Sequence, residues 1–153
     1  MEAETVIDAA PEAVWALVSD ARRYPEWGPW REGRYERPGD ESERGPGAVQ
    51  VLVSARRVWG RRGVSVERIV AAEPNQRLAY EVIGGLPVRN YRAEVTLTPD
   101  GDGTRVRWEA DWDRTLQGRI VYRTLRTFYP EMLASLAAGR SAQKPPRAER
   151  ASA

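Results

Sequence analysis

A long amphipathic segment closes the chain after a series of short alternating segments, and this order limits the fold more than any other feature. From about residue 117 to 138, apolar side chains recur every three or four positions, as in an α-helix with one apolar face. These are Val121, Leu125, Phe128, Met132 and Leu136. Pro130 lies inside the pattern, so we expect a kink there or a break into two helices.

Six segments before this helix are predicted to be β-strands. The one at 31–37 is weak and polar, and the later ones alternate between apolar and polar side chains, which is typical of half-buried strands. The clearest one places Val106, Trp108, Ala110 and Trp112 on one face and charged residues on the other. Short, turn-rich connections join these segments, so the sheet is predicted to be an antiparallel meander. A short edge strand at 2–8 and two short helices after it begin the chain. We therefore predict an α+β fold in which about seven strands wrap around the last helix.

The composition removes much of the usual enzyme chemistry. The 153 residues include no cysteine and no histidine, so thiol nucleophiles, disulfides, histidine bases and the commonest metal ligands are excluded. Neither a metal nor a cofactor is predicted. The net charge is only +2, and the 24 basic residues include a single lysine, Lys144. A nucleic-acid partner is not expected, because such domains usually cluster their charge on one face.

The chain is expected to form one domain over residues 1–139, with a disordered tail at 140–153 that is small, charged and proline-containing. The acidic first ten residues contain no apolar run like that of a signal peptide. No stretch of about 20 apolar residues is present to span a membrane. A cytoplasmic location is the resulting expectation, and the sequence leaves open a monomer or a homodimer.

Several short motifs carry a resemblance to a known family. They are Pro11-Glu12-Ala13-Val14-Trp15, Tyr24-Pro25-Glu26-Trp27, Tyr91-Arg92-Ala93-Glu94-Val95 and Gly103-Thr104-Arg105-Val106-Arg107-Trp108. In this order, over about residues 2–138, the chain resembles START-like (SRPBCC) domains, and within them the bacterial polyketide cyclase/dehydrase-like branch. The resemblance implies a helix-grip fold, in which a curved sheet grips the C-terminal helix over a hydrophobic cavity. Members of the family include aromatase/cyclases, lipid and steroid carriers, co-chaperones and ribosome-associated toxins, so fold alone does not settle function.

The order of the strands and the alternation of their side chains predict where a cavity lies. Alternate loops of a meander lie at the same end of the sheet, so the loop at Trp59, the loop at 84–90 and the segment 112–117 are predicted to surround its mouth. Inward-facing aromatic rings with a polar tip suit a flat, partly polar ligand, although the alternative for each ring is plain core. The predicted ligand-binding residues are Tyr24, Trp27, Trp30, Val51, Val53, Val64, Tyr80, Val82, Arg89, Tyr91, Trp108, Trp112, Val121, Leu125 and Phe128.

Two hypotheses about function follow. The first is that the protein binds a small hydrophobic or aromatic molecule, similar to a polyketide or a lipid, with or without cyclase/dehydrase activity. In an enzyme, Tyr80 and Tyr91 would be the catalytic hydrogen-bond donors to a developing enolate. Glu81 and Glu94 are expected to face solvent. The alternative is an interaction protein of the ribosome-associated or co-chaperone type, which would use the basic helix face of Arg119, Arg123 and Arg126.

Overall fold

The computed structural model describes residues 1–58 and 60–143. One strand and two short helices come first: β1 (Glu2–Ile7), α1 (Pro11–Val18) and a 3₁₀ helix (Ala21–Glu26). Six strands and a long helix follow: β2 (Trp30–Arg37), β3 (Val49–Val58), β4 (Arg61–Glu73), β5 (Arg77–Gly84), β6 (Arg92–Asp100), β7 (Gly103–Asp111) and α2 (Leu116–Gln143). This order confirms the predicted α+β fold with seven strands and a C-terminal helix.

All seven strands belong to one antiparallel sheet with the spatial order β1-β7-β6-β5-β4-β3-β2. Strands β2 to β7 form the predicted meander, since each pairs with its successor in the chain. Strand β1 is an edge strand, as predicted, and pairs with β7 from Glu2 opposite Glu109 to Ile7 opposite Thr104. The beginning of the chain therefore lies beside its last strand.

Interruptions in strand pairing curve the sheet. The register shifts between Val53 and Arg57 on β3, and between Val66 and Glu67 and between Ile69 and Ala71 on β4. Such bulges bend a strand and increase its twist. The sheet consequently forms a curled half-barrel with one concave face.

Helix α2 lies against this concave face, and its two halves differ in burial. Met132, Leu133 and Leu136, in the C-terminal half, are almost fully buried, whereas Leu125 and Phe128 are only half-buried. The C-terminal half is therefore the part that fills the core, and the N-terminal half leaves space above the sheet.

The ends and interior of α2 differ from the sequence expectation. A single helix contains Pro130, so the predicted alternative of a break into two helices is wrong. The helix also continues through Gln143, past the predicted domain end at residue 139. Residues 144–153 of the predicted tail lie outside the described residues. Within the described part of the chain, no helix is long and apolar enough to cross a membrane.

The 3₁₀ helix packs against β2, and α1 packs against the 3₁₀ helix and against β6 and β7. Helix α1 begins at Pro11, where the missing proline N–H costs no helical hydrogen bond. Strand β2 passes very close to the 3₁₀ helix at Gly33, where an added Cβ would lie 1.8 Å from the carbonyl oxygen of Ala21. The Tyr24 hydroxyl donates a 2.9 Å hydrogen bond to the Val18 carbonyl and joins the two helices. These contacts fix the position of the Tyr24 ring beneath the sheet.

Candidate functional site

A cavity of about 280 Å³ lies between the concave face of the sheet and the N-terminal half of α2. Most of its wall is apolar, because side chains from β2, β3, β5 and α2 meet there. The main apolar contributors are Trp30, Leu52, Val82, Leu125, Phe128 and Met132. A mainly apolar pocket with a few convergent polar groups is the usual form of a small-molecule site.

Aromatic rings shape one side of the cavity. Trp30 packs edge-on against Phe128, with ring centroids 5.4 Å apart, and Tyr24 lies 6.1 Å from Trp30 on the other side. The Trp30 indole also lies against Gly28, whose missing side chain leaves room for it, since an added Cβ would be 2.8 Å from Trp30 Cδ1. Trp30 Nε1 is the buried side-chain nitrogen without a hydrogen-bond partner among the described residues.

Three tyrosines and a tryptophan form a polar cluster on the cavity wall. The hydroxyls of Tyr91 and Tyr129 are hydrogen-bonded to each other, and Trp108 Nε1 donates a 3.1 Å hydrogen bond to the Tyr80 hydroxyl. Tyr80 also lies close enough to interact with the other two hydroxyls. We call Tyr80, Tyr91, Trp108 and Tyr129 the tyrosine cluster. Its members come from β5, β7, α2 and the residue before β6, so only the folded chain brings them together.

Burial keeps the phenols of this cluster protonated. Desolvation is the largest cause that raises the pKa of Tyr80 and of Tyr91 well above the ordinary value of 10.0. The same cause raises the pKa of Tyr129 to about 12, against hydrogen bonds from its neighbours that lower it. At neutral pH, each phenol is therefore a hydrogen-bond donor rather than a base.

Glu67 is a buried carboxyl group on the same cavity wall. Its Oε2 accepts a 2.8 Å hydrogen bond from Gln50 Nε2, and its Oε1 accepts one of 2.8 Å from the Ser65 hydroxyl. No arginine lies within ion-pair distance of Glu67 among the described residues. Desolvation raises the pKa of this carboxyl group, and the two hydrogen bonds oppose that rise only in part.

The mouth of the cavity lies between α2 and the β3–β4 hairpin. Arg56 of β3 and Glu131 of α2 form an ion pair across it, with Nη2 and Oε2 2.6 Å apart. Leu86, from the β5–β6 connection, and Thr124 of α2 complete the rim. Leu86 was predicted at the mouth, but the segment 112–117 does not line it, and Trp59 lies outside the described residues.

The structure brings nine of the fifteen predicted ligand-binding residues together around the cavity. They are Tyr24, Trp30, Val64, Tyr80, Val82, Tyr91, Trp108, Leu125 and Phe128. Whether they contact a ligand stays a prediction. The other six, Trp27, Val51, Val53, Arg89, Trp112 and Val121, do not line it.

Val51 and Val53 do not line the cavity, because the alternate residue of β3, Leu52, faces it instead. Side chains of directly paired residues lie on the same face of a sheet. Val51 pairs with Val66, and neither lines the cavity, whereas Leu52 pairs with Ser65 and both line it. Val53 pairs with Val64, and of these two only Val64 borders the cavity. Val51 is buried but lies outside the main core cluster.

The other four residues lie away from the cavity for reasons specific to each position. Trp27 is buried in the core, where its Nε1 donates a 3.4 Å hydrogen bond to the Leu17 carbonyl. Trp112 stacks behind Tyr91 at 5.3 Å and donates a 3.0 Å hydrogen bond to the Gly118 carbonyl, so it supports the wall from outside. Arg89 is exposed on its loop, and Val121 is half-buried one turn before the cavity.

Sequence reasoning missed Leu52, Ser65, Glu67 and Tyr129. A signal for Glu67 and Ser65 was present, because both share strand parity with Ile69, which is 3% exposed. Tyr129 follows Phe128 in the helix and fell outside the narrow apolar stripe used for the prediction. Glu81 and Glu94, expected at the surface, form ion pairs with Arg68 and Arg77 away from the cavity.

A larger depression of about 830 Å³ lies on the outer face of the sheet. It is shallow, and charged side chains such as Glu81, Arg92 and Glu109 surround it. Charged groups on an outer sheet face are ordinarily solvated, so the smaller apolar cavity is the better candidate for a binding site. No group of three acidic residues suited to hold a metal ion occurs in the described ranges.

Comparison with known proteins supports the fold. A family profile described as "Polyketide cyclase / dehydrase and lipid transport" matches residues 1–139. No curated protein matches the chain. Among solved structures, a START superfamily protein from Mycobacterium smegmatis is similar, with 16% identity and a TM-score of 0.75 over 94% of this chain and 98% of that one.

Two further structures give the same result. A protein from Thermobifida fusca is 23% identical with a TM-score of 0.73, covering 94% of both chains. A protein from Nitrosospira multiformis is 20% identical with a TM-score of 0.73, covering 94% of this chain and 99% of that one. At these identities the likeness shows a shared START-like fold, and the cavity must be argued from its own residues.

Proposed function

Because the chain belongs to the polyketide cyclase/dehydrase and lipid transport family, we propose that it binds a small, mainly apolar molecule with a carbonyl or hydroxyl oxygen. The observation that carries this proposal is the tyrosine cluster at the wall of an otherwise apolar cavity. An apolar ligand body would gain from burial, and its single polar oxygen would find protonated donors.

The size of the cavity favours a compact ligand. A volume of about 280 Å³ corresponds to about nine water molecules at the density of the liquid. It lies at the lower limit of the range found for ligand pockets. One or two fused rings fit that space, whereas a long acyl chain requires α2 to move away from the sheet.

The tyrosine cluster can offer a proton to the ligand when its three hydroxyls hydrogen-bond as an open chain. Three hydroxyls carry three protons, and bonds among Tyr80, Tyr91 and Tyr129 use at most two of them in an open chain. The terminal hydroxyl of such a chain then donates to an oxygen outside the cluster. Cooperative polarisation along the chain strengthens that last donor.

Native mass spectrometry of the protein purified from a cell extract, followed by extraction of what remains bound, tests the proposal. The expected result is a small apolar molecule bound one to one and displaced on unfolding. Recovery of only the ligand-free mass from polyketide-rich and lipid-rich extracts would count against the proposal.

A second candidate function is catalysis of enolisation, the step on which cyclases and dehydratases depend. The observation in its favour is Glu67, the one carboxyl group among the described residues lining the cavity. In this scheme the Glu67 carboxylate takes an α-proton from a ketone, and a tyrosine hydroxyl donates a hydrogen bond to the enolate oxygen. The proton returns from Glu67 to carbon, so atoms and charge balance without a cofactor.

Exchange of the α-protons of benzoylacetone in D₂O, followed by NMR, measures this step. The protein is expected to accelerate exchange, and Glu67→Gln to abolish the acceleration. Tyr80→Phe and Tyr91→Phe are expected to reduce it by about tenfold or more, since one oxyanion donor commonly contributes at least that much. An unchanged rate in both tyrosine variants would remove them from the mechanism.

A further inference from the structure

Four arginines line a groove on the other side of α2 from the cavity mouth. Arg119, Arg123 and Arg126 come from the first three turns of the helix, and Arg114 comes from the segment before it. The groove has a volume of about 570 Å³, and Trp112 and Tyr122 form part of its wall. We call these four residues the arginine groove. It shares no lining residue with the cavity, so it is a separate place on the molecule.

These four guanidinium groups lack the carboxylate partners that arginines have elsewhere on the surface. Arg34, Arg77 and Arg105 each lie within 4.0 Å of two carboxyl groups. Within residues 1–58 and 60–143, none of the arginines of the groove has such a partner. Asp111 is the one acidic side chain on the groove wall. Among the side chains that line the groove, four cations face one anion, which leaves a side-chain charge of about +3 at neutral pH.

We propose that the arginine groove binds the phosphate group of a small soluble molecule. Guanidinium forks match phosphate oxygens in a bidentate way, and a phosphate carries more than one negative charge at neutral pH. A concave site with four converging cations suits a compact anion better than it suits an extended surface. The half-exposed ring of Tyr122, with Trp112 beside it, offers a face for a flat group attached to the phosphate.

Isothermal titration with inorganic pyrophosphate, at low salt and again at high salt, tests this proposal on the full chain. The wild-type protein is expected to bind one pyrophosphate saturably and to lose affinity as salt rises. The triple variant Arg119→Gln, Arg123→Gln, Arg126→Gln is expected to bind about tenfold more weakly or worse. All three side chains are exposed, so the fold is expected to persist, and circular dichroism checks this.

A control variant with the same change in net charge tests whether the loss of binding is specific to the groove. Arg31, Arg61 and Arg92 are exposed, have no carboxylate within ion-pair distance among the described residues, and lie outside the groove. Their replacement by glutamine is expected to change pyrophosphate affinity by less than about threefold. Absence of saturable binding to the wild type, or equal losses in the two triple variants, would overturn the proposal.

Binding to lipid vesicles distinguishes a membrane surface from a small soluble ligand. Leu116 and Ile120 are exposed on the neighbouring helix face, with 77% and 61% of their surface accessible, and a basic helix with apolar side chains can bind anionic bilayers. Binding to vesicles of phosphatidylcholine with phosphatidylglycerol, without any binding of pyrophosphate, would contradict a soluble ligand. The ribosome or co-chaperone partner predicted for this helix face stays a prediction.

Discussion

Gln50 and Glu67 face each other across the β3–β4 ladder and are joined by a 2.8 Å hydrogen bond beside the cavity. Ser65 completes the set by donating to the other carboxyl oxygen. A carboxyl group held in this way is satisfied by neutral donors rather than by a cation, so burial penalises its charged form.

The pH dependence of stability follows from this arrangement. Desolvation raises the pKa of Glu67 in the folded protein above its unfolded value of 4.5, so the folded state binds more protons between the two values. The stability that Glu67 contributes is therefore complete below pH 4.5 and is lost as the pH rises through the folded-state pKa. Urea unfolding across this range is expected to show a decline that Glu67→Gln reduces.

Glu41 provides the matched control for that experiment, because it is exposed in the loop between β2 and β3. Glu41→Gln is expected to leave the slope of unfolding free energy against pH as it is in the wild type. Identical slopes in Glu67→Gln and the wild type would contradict the assignment of a raised pKa.

Because the hydroxyls of Tyr91 and Tyr129 are hydrogen-bonded to each other, mutations at the two positions are expected to have non-additive effects on stability. Removal of either hydroxyl leaves its partner without one hydrogen bond in a buried place. Tyr91→Phe and Tyr129→Phe are each expected to lower the free energy of unfolding by about 1 kcal/mol. The double variant is expected to lose less than the sum, which a double-mutant cycle by urea unfolding detects. Strict additivity would mean that the two hydroxyls do not stabilise each other.

The fold could be predicted from the sequence because its signals are local and redundant. The alternation from Val106 to Ala110 and the stripe from Leu125 to Leu136 each place an apolar face correctly. Pro11 likewise begins α1 as expected. The helix-grip architecture follows from one sheet face that needs a cover and one helix that can supply it.

The cavity was predicted less completely, for a physical reason. On β3 and β4 the inward face carries Gln50, Ser65 and Glu67, which satisfy one another, while Val51 and Val66 lie on the outward face. Hydrophobicity alone assigns those polar residues to solvent, because it does not register partners on another strand. The bulge between Ile69 and Ala71 further obscures the alternation of β4, because Val70 is an extra residue in that strand.

The addition of one methyl group at Gly33 is expected to lower the stability of the fold strongly. A Cβ there would overlap the backbone carbonyl of Ala21, which a side-chain movement cannot relieve. Gly33→Ala is expected to lower the free energy of unfolding by about 2 kcal/mol or more. Gly63→Ala is the control, since its nearest neighbour would be the Ser54 Cβ at an ordinary 3.7 Å. Equal stability of the two variants, measured by urea unfolding, would argue against the close packing of β2 on the 3₁₀ helix.

The ion pair of Arg56 and Glu131 predicts a kinetic effect rather than a large change in stability. Both side chains are more than half exposed, so the pair stabilises the fold by less than about 1 kcal/mol. Because it joins α2 to β3 across the mouth, Glu131→Gln is expected to accelerate ligand release while stability changes little. Stopped-flow dissociation of 2-naphthol measures the rate, and a rate equal to that of the wild type would show that the pair does not close the mouth.

Occlusion of the cavity tests ligand binding most directly. Val82→Phe would place a ring inside the cavity, whereas Val53→Phe makes the same change at a half-buried site outside it. The indole N–H of Trp108, bonded to Tyr80, reports on the cavity in a ¹H–¹⁵N spectrum during titration with 2-naphthol. The account predicts a saturable shift in the wild type and in Val53→Phe, and an affinity about tenfold lower or worse in Val82→Phe. An unshifted Trp108 signal in the wild type, or equal affinity in all three proteins, would contradict binding in this cavity.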